Sequence, residues 1–347
     1  MKKIIALILT FAALLSFAAC GSSEETIDNP NPSKPLENSG VTVMSYEGET
    51  INSGMYAFIF SYLKTKKMYY FQMYGSSQTV EDTQSFWNTY YDGKTIGEAA
   101  LQDIQDHCKM LLICNKMSSE YNVSLNNDER GQVEDELNDW ISSYGSVEGL
   151  SDFLKRYGIS VDDLEKYLEK NYLIVALQNK LCSEGGICEV ADEEVNDRIK
   201  ETYSKVTHIY LSDKTYNGDA KSKGEEILKA LEDGEDFDEF AKLSEDTTAK
   251  TYPDGMMISL GTDNSYTKAA AKLSDGEYAL CEMGEGVYII KCFEMTDNDV
   301  NSRFETVYKS IADKEFLAVM AERYPFVELN KDELDKYDII TADTIEF

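Results

Sequence analysis

Histidine is scarce in this chain, and the ligand patterns that a zinc site needs are missing. The 347 residues contain two histidines, His107 and His208, and none of the seven cysteines stands in a Cys-x-x-Cys pair. Zinc sites are built from clustered cysteine and histidine side chains. The sequence therefore predicts no metal site, and it implies no other cofactor.

Basic residues are also in short supply. The chain has 33 lysine and arginine residues against 64 aspartate and glutamate residues, which gives a formal net charge of −31. Such a charge repels phosphate-rich surfaces, so nucleic acid and anionic lipid headgroups are unfavourable partners. The same excess of acid is also typical of a solvated coat that keeps a protein soluble and says nothing about partners.

Proline is rare and concentrated in one place. Three of the five prolines, Pro30, Pro32 and Pro35, lie between residues 21 and 40, where the other residues are mainly Ser, Asn and Glu. A segment of this composition cannot bury a core, so we expect a disordered tether. The remaining chain, roughly 300 residues, is long enough for two domains with cores of their own.

Long apolar runs are limited to the beginning of the chain. Lys2 and Lys3 precede an apolar stretch over residues 4–19, which is short for a membrane span and typical of a secretion signal. The stretch ends in Leu15-Ser16-Phe17-Ala18-Ala19-Cys20, which resembles a bacterial lipobox. In lipoboxes the cysteine becomes the lipidated N-terminus.

These features predict a signal peptide over residues 1–19, a lipid anchor at Cys20 and a tether over residues 20–40. The protein would then be held on the extracytoplasmic face of a bacterial cell membrane. The alternative is ordinary cleavage near Ala19, which would leave Cys20 as an unmodified thiol.

Residues 41–204 have the patterns of a helical domain with a short β start. Asn52 or Ser53 is placed to cap a first helix that is rich in aromatic residues, and a second long helix begins near Thr95. Ser160 and Asp163 have the spacing of a capping box, and a last helix spans residues 192–204. Aromatic residues at helical spacing are typical of a core. The alternative is that some of them line a groove for extended polypeptide.

Strand patterns begin at residue 205. Val206–Leu211 is typical of a buried strand, and residues 219–231 and 236–243 have helical patterns. Two closing strands, residues 278–281 and 287–293, are joined at Gly284-Glu285-Gly286. In residues 298–347 an amphipathic helix ends at Tyr324-Pro325, and a short strand over residues 326–329 follows it.

The strand, the helices and the closing hairpin, with Thr207-His208-Ile209 in the strand, resemble a parvulin-type (PpiC) peptidyl-prolyl isomerase domain. With the helical segments on both sides, the chain resembles the PrsA/SurA class of extracytoplasmic foldases. This resemblance implies an α+β fold in three parts. A helical chaperone-like domain over residues 41–204 would carry an inserted parvulin domain over residues 205–297, and residues 298–347 would return to the helical domain.

The resemblance also implies the partners. In this class the helical part binds unfolded or partly folded secreted polypeptides. The sequence leaves open whether two chains pair through the helical domain to form a homodimer.

Candidate catalytic residues follow from the same resemblance. Parvulins have two histidines, a Cys or Asp beside them, and a Met/Phe pocket for the proline ring. His208 matches the first histidine and Asp246 the Cys/Asp position, while Tyr288 stands where the second histidine would be. The alternatives are a structural role for His208 as a satisfied core histidine and for Asp246 as a helix-end residue.

The proline pocket departs further from the family pattern. Its methionine falls on Thr262 or Asp263 and its phenylalanine on Tyr266 or Thr267, with Met256, Met257 and Ile258 as neighbours. A polar residue where a proline ring must lose water predicts weakened catalysis.

Three functions fit these observations. The first is a foldase that retains prolyl isomerase activity, and the second is a holdase chaperone whose parvulin domain is structural. The third is a solute-binding lipoprotein of a transporter, which would need two lobes of alternating strands and helices that residues 52–204 lack. The sequence favours the first.

One pair of cysteines stands close together in the sequence. Cys182 and Cys188 flank a Glu-Gly-Gly turn. Outside the cell they could form a disulfide, and buried thiols are the alternative.

Overall fold

The structure is a computed structural model that describes residues 40–74, 80–91 and 93–345. The predicted signal peptide, Cys20 and the tether up to residue 39 lie outside the described residues. The described residues divide into two compact units, one formed by those up to residue 189 together with those from residue 312 onward, the other by residues 190–311. Within the described ranges, every helix is too short or too polar to span a lipid bilayer.

The first unit begins with a hairpin and continues as helices. Its elements are β1 (Thr42–Tyr46), β2 (Glu49–Asn52), α1 (Ser53–Tyr74), α2 (Gln84–Trp87), β3 (Tyr90–Tyr91), β4 (Lys94–Thr95), α3 (Ile96–Glu120), α4 (Asn127–Ser143), α5 (Val147–Leu154) and α6 (Val161–Cys182). The predicted caps are confirmed: Asn52 Oδ1 accepts a hydrogen bond of 2.9 Å from the Met55 N–H, and Ser160 and Asp163 form a capping box.

Most aromatic residues of α1 belong to the core of this unit. Tyr56, Phe58, Phe60 and Tyr62 are buried. The Phe58 ring centroid lies 5.7 Å from that of Trp140 and 5.8 Å from that of Tyr167. The end of α1 is different, because Tyr69, Met73 and Tyr74 are exposed.

The second unit contains a four-stranded sheet with helices around it. Its elements are α7 (Asp192–Thr202), β5 (Tyr203–Ser212), α8 (Ala220–Glu232), α9 (Phe237–Ala241), α10 (Thr248–Thr251), β6 (Met256–Ser259), α11 (Ser265–Ala270), β7 (Tyr278–Glu282) and β8 (Gly286–Phe293). The strand β5 begins at Tyr203, earlier than the sequence predicts, because residues 203–206 pair with β6. The last turn of the helix predicted over residues 192–204 is therefore strand.

The sheet has the order β6-β5-β8-β7 and all its pairs are antiparallel. Side chains alternate between its two faces. On one face Ile209 and Ile289 pack against Ile227 of α8. On the other face Val206 and Ile290 pack against α11.

The last elements are α12 (Asp297–Ala321), β9 (Glu328–Leu329) and α13 (Lys331–Leu334). The short strand expected over residues 326–329 is reduced to β9, because Tyr324–Phe326 form a 3₁₀ turn. β9 adds to the N-terminal hairpin, with Leu329 paired to Met44. The mixed α+β fold with small antiparallel sheets that the sequence predicts is confirmed.

A tail after α13 (residues 335–345) runs along α1. The Tyr337 hydroxyl donates to the Ser53 carbonyl at 2.9 Å, and the Ile345 N–H donates to Thr65 Oγ1 at 2.8 Å. Lys64, which is fully buried, donates to the Ala342 carbonyl at 2.6 Å and pairs with Asp82 at 2.8 Å. The tail is therefore part of the core of the first unit.

Candidate active site

His208 lies in the middle of β5 on the face that packs against α11. It is opposite Ile290 of β8, and the sheet register places both side chains on this face. Its neighbour Ile209 points to the α8 side, as strand alternation requires. His208 is 7% exposed, so its ring nitrogens need partners within the protein.

Both ring nitrogens of His208 have a partner. Nε2 lies 2.7 Å from Asp246 Oδ2, and Nδ1 lies 2.8 Å from the Tyr266 hydroxyl. An ionised carboxylate can only accept, so Nε2 carries the proton and donates to Asp246. In the neutral imidazole Nδ1 then accepts from the Tyr266 hydroxyl, so the ring is held from both sides.

Asp246 is kept ionised by the donors around it. The Ser244 hydroxyl and the Thr248 N–H donate to Oδ1 at 2.9 and 3.1 Å. Burial works to raise the pKa of Asp246, but the hydrogen bonds from His208 and Thr248 outweigh it and hold that pKa below its ordinary value. At neutral pH Asp246 is therefore a carboxylate that accepts from His208.

The segment that carries Asp246 is tied to β5 through Ser244 and Glu245. The Tyr210 N–H donates to Ser244 Oγ, and the Glu245 N–H donates to the Tyr210 carbonyl, both at 2.9 Å. The Glu245 carboxylate accepts from the Ser212 N–H at 2.6 Å. Ser244 thus contacts both the strand of His208 and the carboxylate that holds it.

Sequence reasoning missed Ser244 and Thr248. The signal that could have found them is a hydroxyl residue two positions before and two positions after Asp246. Ser and Thr at that distance from a carboxylate commonly donate to it in turns.

Two tyrosines form the aromatic part of the site with His208. The His208 ring centroid lies 5.3 Å from that of Tyr266 and 5.0 Å from that of Tyr288, and the two tyrosine rings are 5.5 Å apart. All three pairs are edge-to-face, which is a favourable arrangement for aromatic rings. Burial raises the pKa of both tyrosines, so both hydroxyls remain protonated at neutral pH.

The candidate pocket residues of β6 divide between the two faces of the sheet. Ile258 packs against the buried cluster that contains Tyr266 and Ile290, and Met256 lies opposite Val206 on the same face. Met257 pairs with Lys205 and points to the other face because strand side chains alternate. Its prediction as a pocket neighbour of His208 is corrected in this respect.

The loop before α11 does not form a pocket wall in the way that the sequence suggests. Thr262 and Asp263 are both exposed. The Thr262 carbonyl accepts from the Thr267 hydroxyl, and Asp263 pairs with Lys268. Thr262 is therefore part of the turn that starts α11, which corrects its prediction as a pocket residue, whereas Tyr266 lies in the site.

Two apolar residues that were not predicted pack against the same cluster. They are Leu260, directly after β6, and Met283, in the turn of the β7–β8 hairpin. Sequence spacing could not indicate them, because each lies outside the strands whose alternation we used. With Ile258 they supply apolar surface beside the His208 centre.

The centre itself contains no arrangement of metal ligands. Across residues 40–74, 80–91 and 93–345, no group of three or more His, Cys, Asp or Glu side chains is placed to hold a metal ion. The His208 centre offers hydrogen bonds next to an apolar surface.

Comparison with known proteins gives a match to one domain family. Residues 193–296 match the family model described as PPIC-type PPIASE domain, a range that begins within α7 and contains β5–β8. Among curated proteins, no relative matches the chain.

Several solved structures are similar to this chain at low sequence identity. One is peptidylprolyl isomerase PrsA from Bacillus cereus, at 15% identity over 86% of this chain and 93% of that chain, with a TM-score of 0.35. A second is PrsA from Bacillus subtilis, at 20% identity over 74% and 94%, with a TM-score of 0.24. A third is foldase protein PrsA from Streptococcus pneumoniae, at 16% identity over 86% and 93%, with a TM-score of 0.25.

The family match covers the sheet, the helices around it and the His208 centre. The chain therefore carries a PPIC-type PPIase domain over residues 193–296, which confirms the parvulin-type domain that its sequence predicts.

Proposed function

We propose that this protein is a membrane-anchored extracytoplasmic foldase. Its parvulin domain isomerises Xaa–Pro bonds in unfolded or partly folded secreted polypeptides, and its helical unit binds them. The observation that carries the catalytic part is the fixed His208 ring. Asp246 contacts one of its nitrogens, the Tyr266 hydroxyl contacts the other, and the Tyr288 ring packs edge-to-face with it.

A catalyst of prolyl isomerisation does not need to form a covalent bond with its substrate. The barrier of about 18–20 kcal/mol arises from the loss of amide resonance as the peptide bond twists. A catalyst lowers it by binding the twisted amide better than either planar form. Each decrease of about 1.4 kcal/mol in the barrier gives a tenfold faster reaction.

The site offers what such binding requires. The apolar side chains of Ile258, Leu260 and Met283 suit a proline ring, which gains from leaving water. The Tyr288 hydroxyl stays protonated at neutral pH and can donate to the amide. His208 and Tyr266 are held by hydrogen bonds, so little reorganisation is needed when the amide twists.

The first test is a protease-coupled assay with a prolyl peptide on the chain from residue 40 to 347. We expect Tyr266→Phe to lower kcat/KM by about 5- to 30-fold, because it removes one hydrogen bond worth about 1–2 kcal/mol in the centre. His208→Ala removes both hydrogen bonds of the ring and should lower kcat/KM by at least as much. Tyr278→Phe is the matched control, since Tyr278 packs on the opposite face of the same sheet.

Two results would contradict the catalytic proposal. One is a wild-type rate no higher than the uncatalysed rate. The other is an unchanged rate in His208→Ala with the fold intact by circular dichroism.

A holdase without turnover is the second candidate. The observation that favours it is Tyr288, which stands where the family resemblance implies a second histidine. Suppression of the aggregation of an unfolded client, measured by light scattering, tests this activity. If the protein is a holdase, His208→Ala still suppresses aggregation, and the wild type shows no isomerase activity.

The membrane anchor is proposed from the sequence around Cys20 and has its own test. In a bacterial host the full chain should fractionate with membranes and incorporate labelled palmitate. Cys20→Ala should abolish the label and release the chain. A palmitate-free wild-type chain would contradict the lipid anchor and leave the isomerase proposal unaffected.

A further inference from the structure

Two cysteine sulfurs of the first unit lie in direct contact. Sγ of Cys182, the last residue of α6, is 2.7 Å from Sγ of Cys188. A disulfide bond has a length of about 2.05 Å, so the two atoms need to approach by about 0.7 Å to be bonded. Cys114, which stands at the same spacing from Cys108, instead has its sulfur 3.6 Å from Met320 Sδ.

The backbone between the two cysteines already has a closed shape. Gly185 has φ +74°, which lets the chain turn back, and the Cys188 N–H donates to the Leu181 carbonyl at 3.1 Å. The Gly186 N–H donates to the Ser183 carbonyl at 2.9 Å. These bonds bring the two side chains together without a contribution from the sulfurs.

We propose that Cys182 and Cys188 form an intramolecular disulfide that closes the turn after α6. This proposal is independent of the isomerase function. It concerns the first unit alone, since the next unit begins at Val190. The bond would fix the end of α6 to the segment around Cys188, where the chain leaves this unit.

The oxidation balances with a disulfide as the oxidant, either oxidised glutathione or the disulfide of a thiol oxidoreductase. Cys188 is the more exposed of the two, at 8% against 1%, so its thiolate attacks the oxidant and forms a mixed disulfide, releasing the first thiolate. The Cys182 thiolate then attacks Cys188 Sγ and releases the second. The protein loses two protons and two electrons, and the oxidant becomes two thiols.

The order of attack agrees with the environment of the thiols. Burial raises the pKa of both, and their mutual contact raises the pKa of Cys182 further while it lowers that of Cys188. The Cys188 thiolate is therefore the easier one to form. The Cys182 sulfur also lies 3.6 Å from the Ala312 carbonyl, which holds it in place for the second step.

The direct test is mass spectrometry of the full chain, isolated from bacterial envelopes in the presence of iodoacetamide. Trypsin should release a peptide from Leu181 to Arg198 that carries no alkyl group and is lighter by two hydrogens. Cleavage after Glu184 should leave its two parts joined until a reductant is added. The proposal would be overturned if both cysteines were alkylated in the isolated protein and were still alkylated after incubation with oxidised glutathione.

A second measurement separates a disulfide from a merely packed pair of thiols. Both tryptophans, Trp87 and Trp140, belong to the first unit, so their fluorescence follows its unfolding. We expect a reductant to lower the Tm of the wild type by about 5 °C, because the open turn gains entropy when unfolded.

The double variant Cys182→Ala/Cys188→Ala should melt at the same temperature with and without reductant. A wild-type Tm that does not respond to reductant would overturn the proposal. So would an equal response in the double variant, because another bond would then be responsible.

Discussion

At the scale of single residues, the hydroxyl of Ser244 controls how firmly His208 is held. It accepts from the Tyr210 N–H and donates to Asp246, so it fixes the carboxylate relative to the strand that carries the histidine. Ser244→Ala removes both bonds but leaves every group that would touch the substrate. We therefore regard Ser244 as a positioning residue.

We expect Ser244→Ala to lower kcat/KM by about 3- to 10-fold, because the Asp246 carboxylate loses one of the donors that hold it. Ser244→Thr should restore most of the activity, because it keeps the hydroxyl. Ser222→Ala, an exposed serine of α8, is the control and should be silent. Equal activity of Ser244→Ala and wild type would show that Asp246 is held without this serine.

Ser244→Ala should also shift the pKa of Asp246. The pKa of Asp246 is depressed in the folded protein. Asp246 is therefore still ionised at its ordinary pKa, and it becomes protonated only as the pH falls through the lower folded value. Without the Ser244 donor this folded pKa should rise towards the ordinary value. Carbon NMR of the labelled Asp246 carboxyl measures it, and an unchanged or lower value in Ser244→Ala would contradict this account.

Site residues were predictable where they belong to a sequence motif. They were not predictable where their position depends on how the strands pair. His208, Asp246 and Tyr266 follow from the family motif, and the structure brings all three together. Their roles stay predictions until activity is measured. Met257 was misplaced because the face of a strand residue depends on register, which one sequence does not contain.

At the scale of elements, the Asp299 carboxylate connects the start of α12 to β5. Asp299 accepts from Lys205 Nζ at 2.8 Å, from the Thr296 hydroxyl at 2.6 Å and from the Thr296 N–H at 2.8 Å. The hydrogen bonds from Lys205 and Thr296 hold the pKa of Asp299 at about 2. These contacts lie within the second unit.

We expect Asp299→Asn to destabilise the second unit by about 1 kcal/mol at neutral pH. Because the folded pKa is depressed, this contribution is complete above about pH 5 and is lost as the pH falls through about 2, so wild type and variant should converge in acid. Hydrogen exchange of peptides from residues 190–311 measures the difference.

Asp297→Asn is the control for this variant, since Asp297 is exposed in the same helical turn. A difference between Asp299→Asn and wild type that stayed constant down to pH 2 would contradict the ion-pair explanation.

Element boundaries show the same limit of sequence reasoning. The helix starts at Asn52, Thr95 and Ser160 were predictable because their capping side chains are local in sequence. The extension of β5 back to Tyr203 was not, because it depends on pairing with Ser259, far along the chain. Local chemistry sets where these helices begin, and distant partners set where the strand does.

At the scale of the whole molecule, the tail over residues 335–345 contributes core to a unit whose other core residues come mostly from the N-terminal half. Tyr337 and Ile345 are buried, and Ala342 supplies a carbonyl to Lys64. Burial lowers the pKa of Lys64, while its pairing with Asp82 works in the other direction. The tail has no helical or strand period, so periodicity alone could not predict which of its residues are buried.

Deletion of residues 336–347 should cost the first unit at least about 3 kcal/mol, since burying each large apolar side chain contributes about 1.5–3 kcal/mol. Tryptophan fluorescence in guanidinium chloride measures this unit by itself. Asp335→Ala, an exposed residue of the same tail, is the control and should have little effect. A full-length free energy of unfolding after the longer deletion would contradict the structural role of the tail.

The sheet of the parvulin domain has a consequence for how such a protein can change over time. Its α8 side, with Ile209, Ile227 and Ile289, secures the fold, while its α11 side holds His208, Tyr266 and Tyr288. Because alternate residues of the same strands serve the two sides, substitutions on one side leave the other intact. A lineage with this domain can therefore lose, retune or regain catalysis by steps that selection for folding does not oppose, and a tyrosine in place of a histidine is a step of that kind.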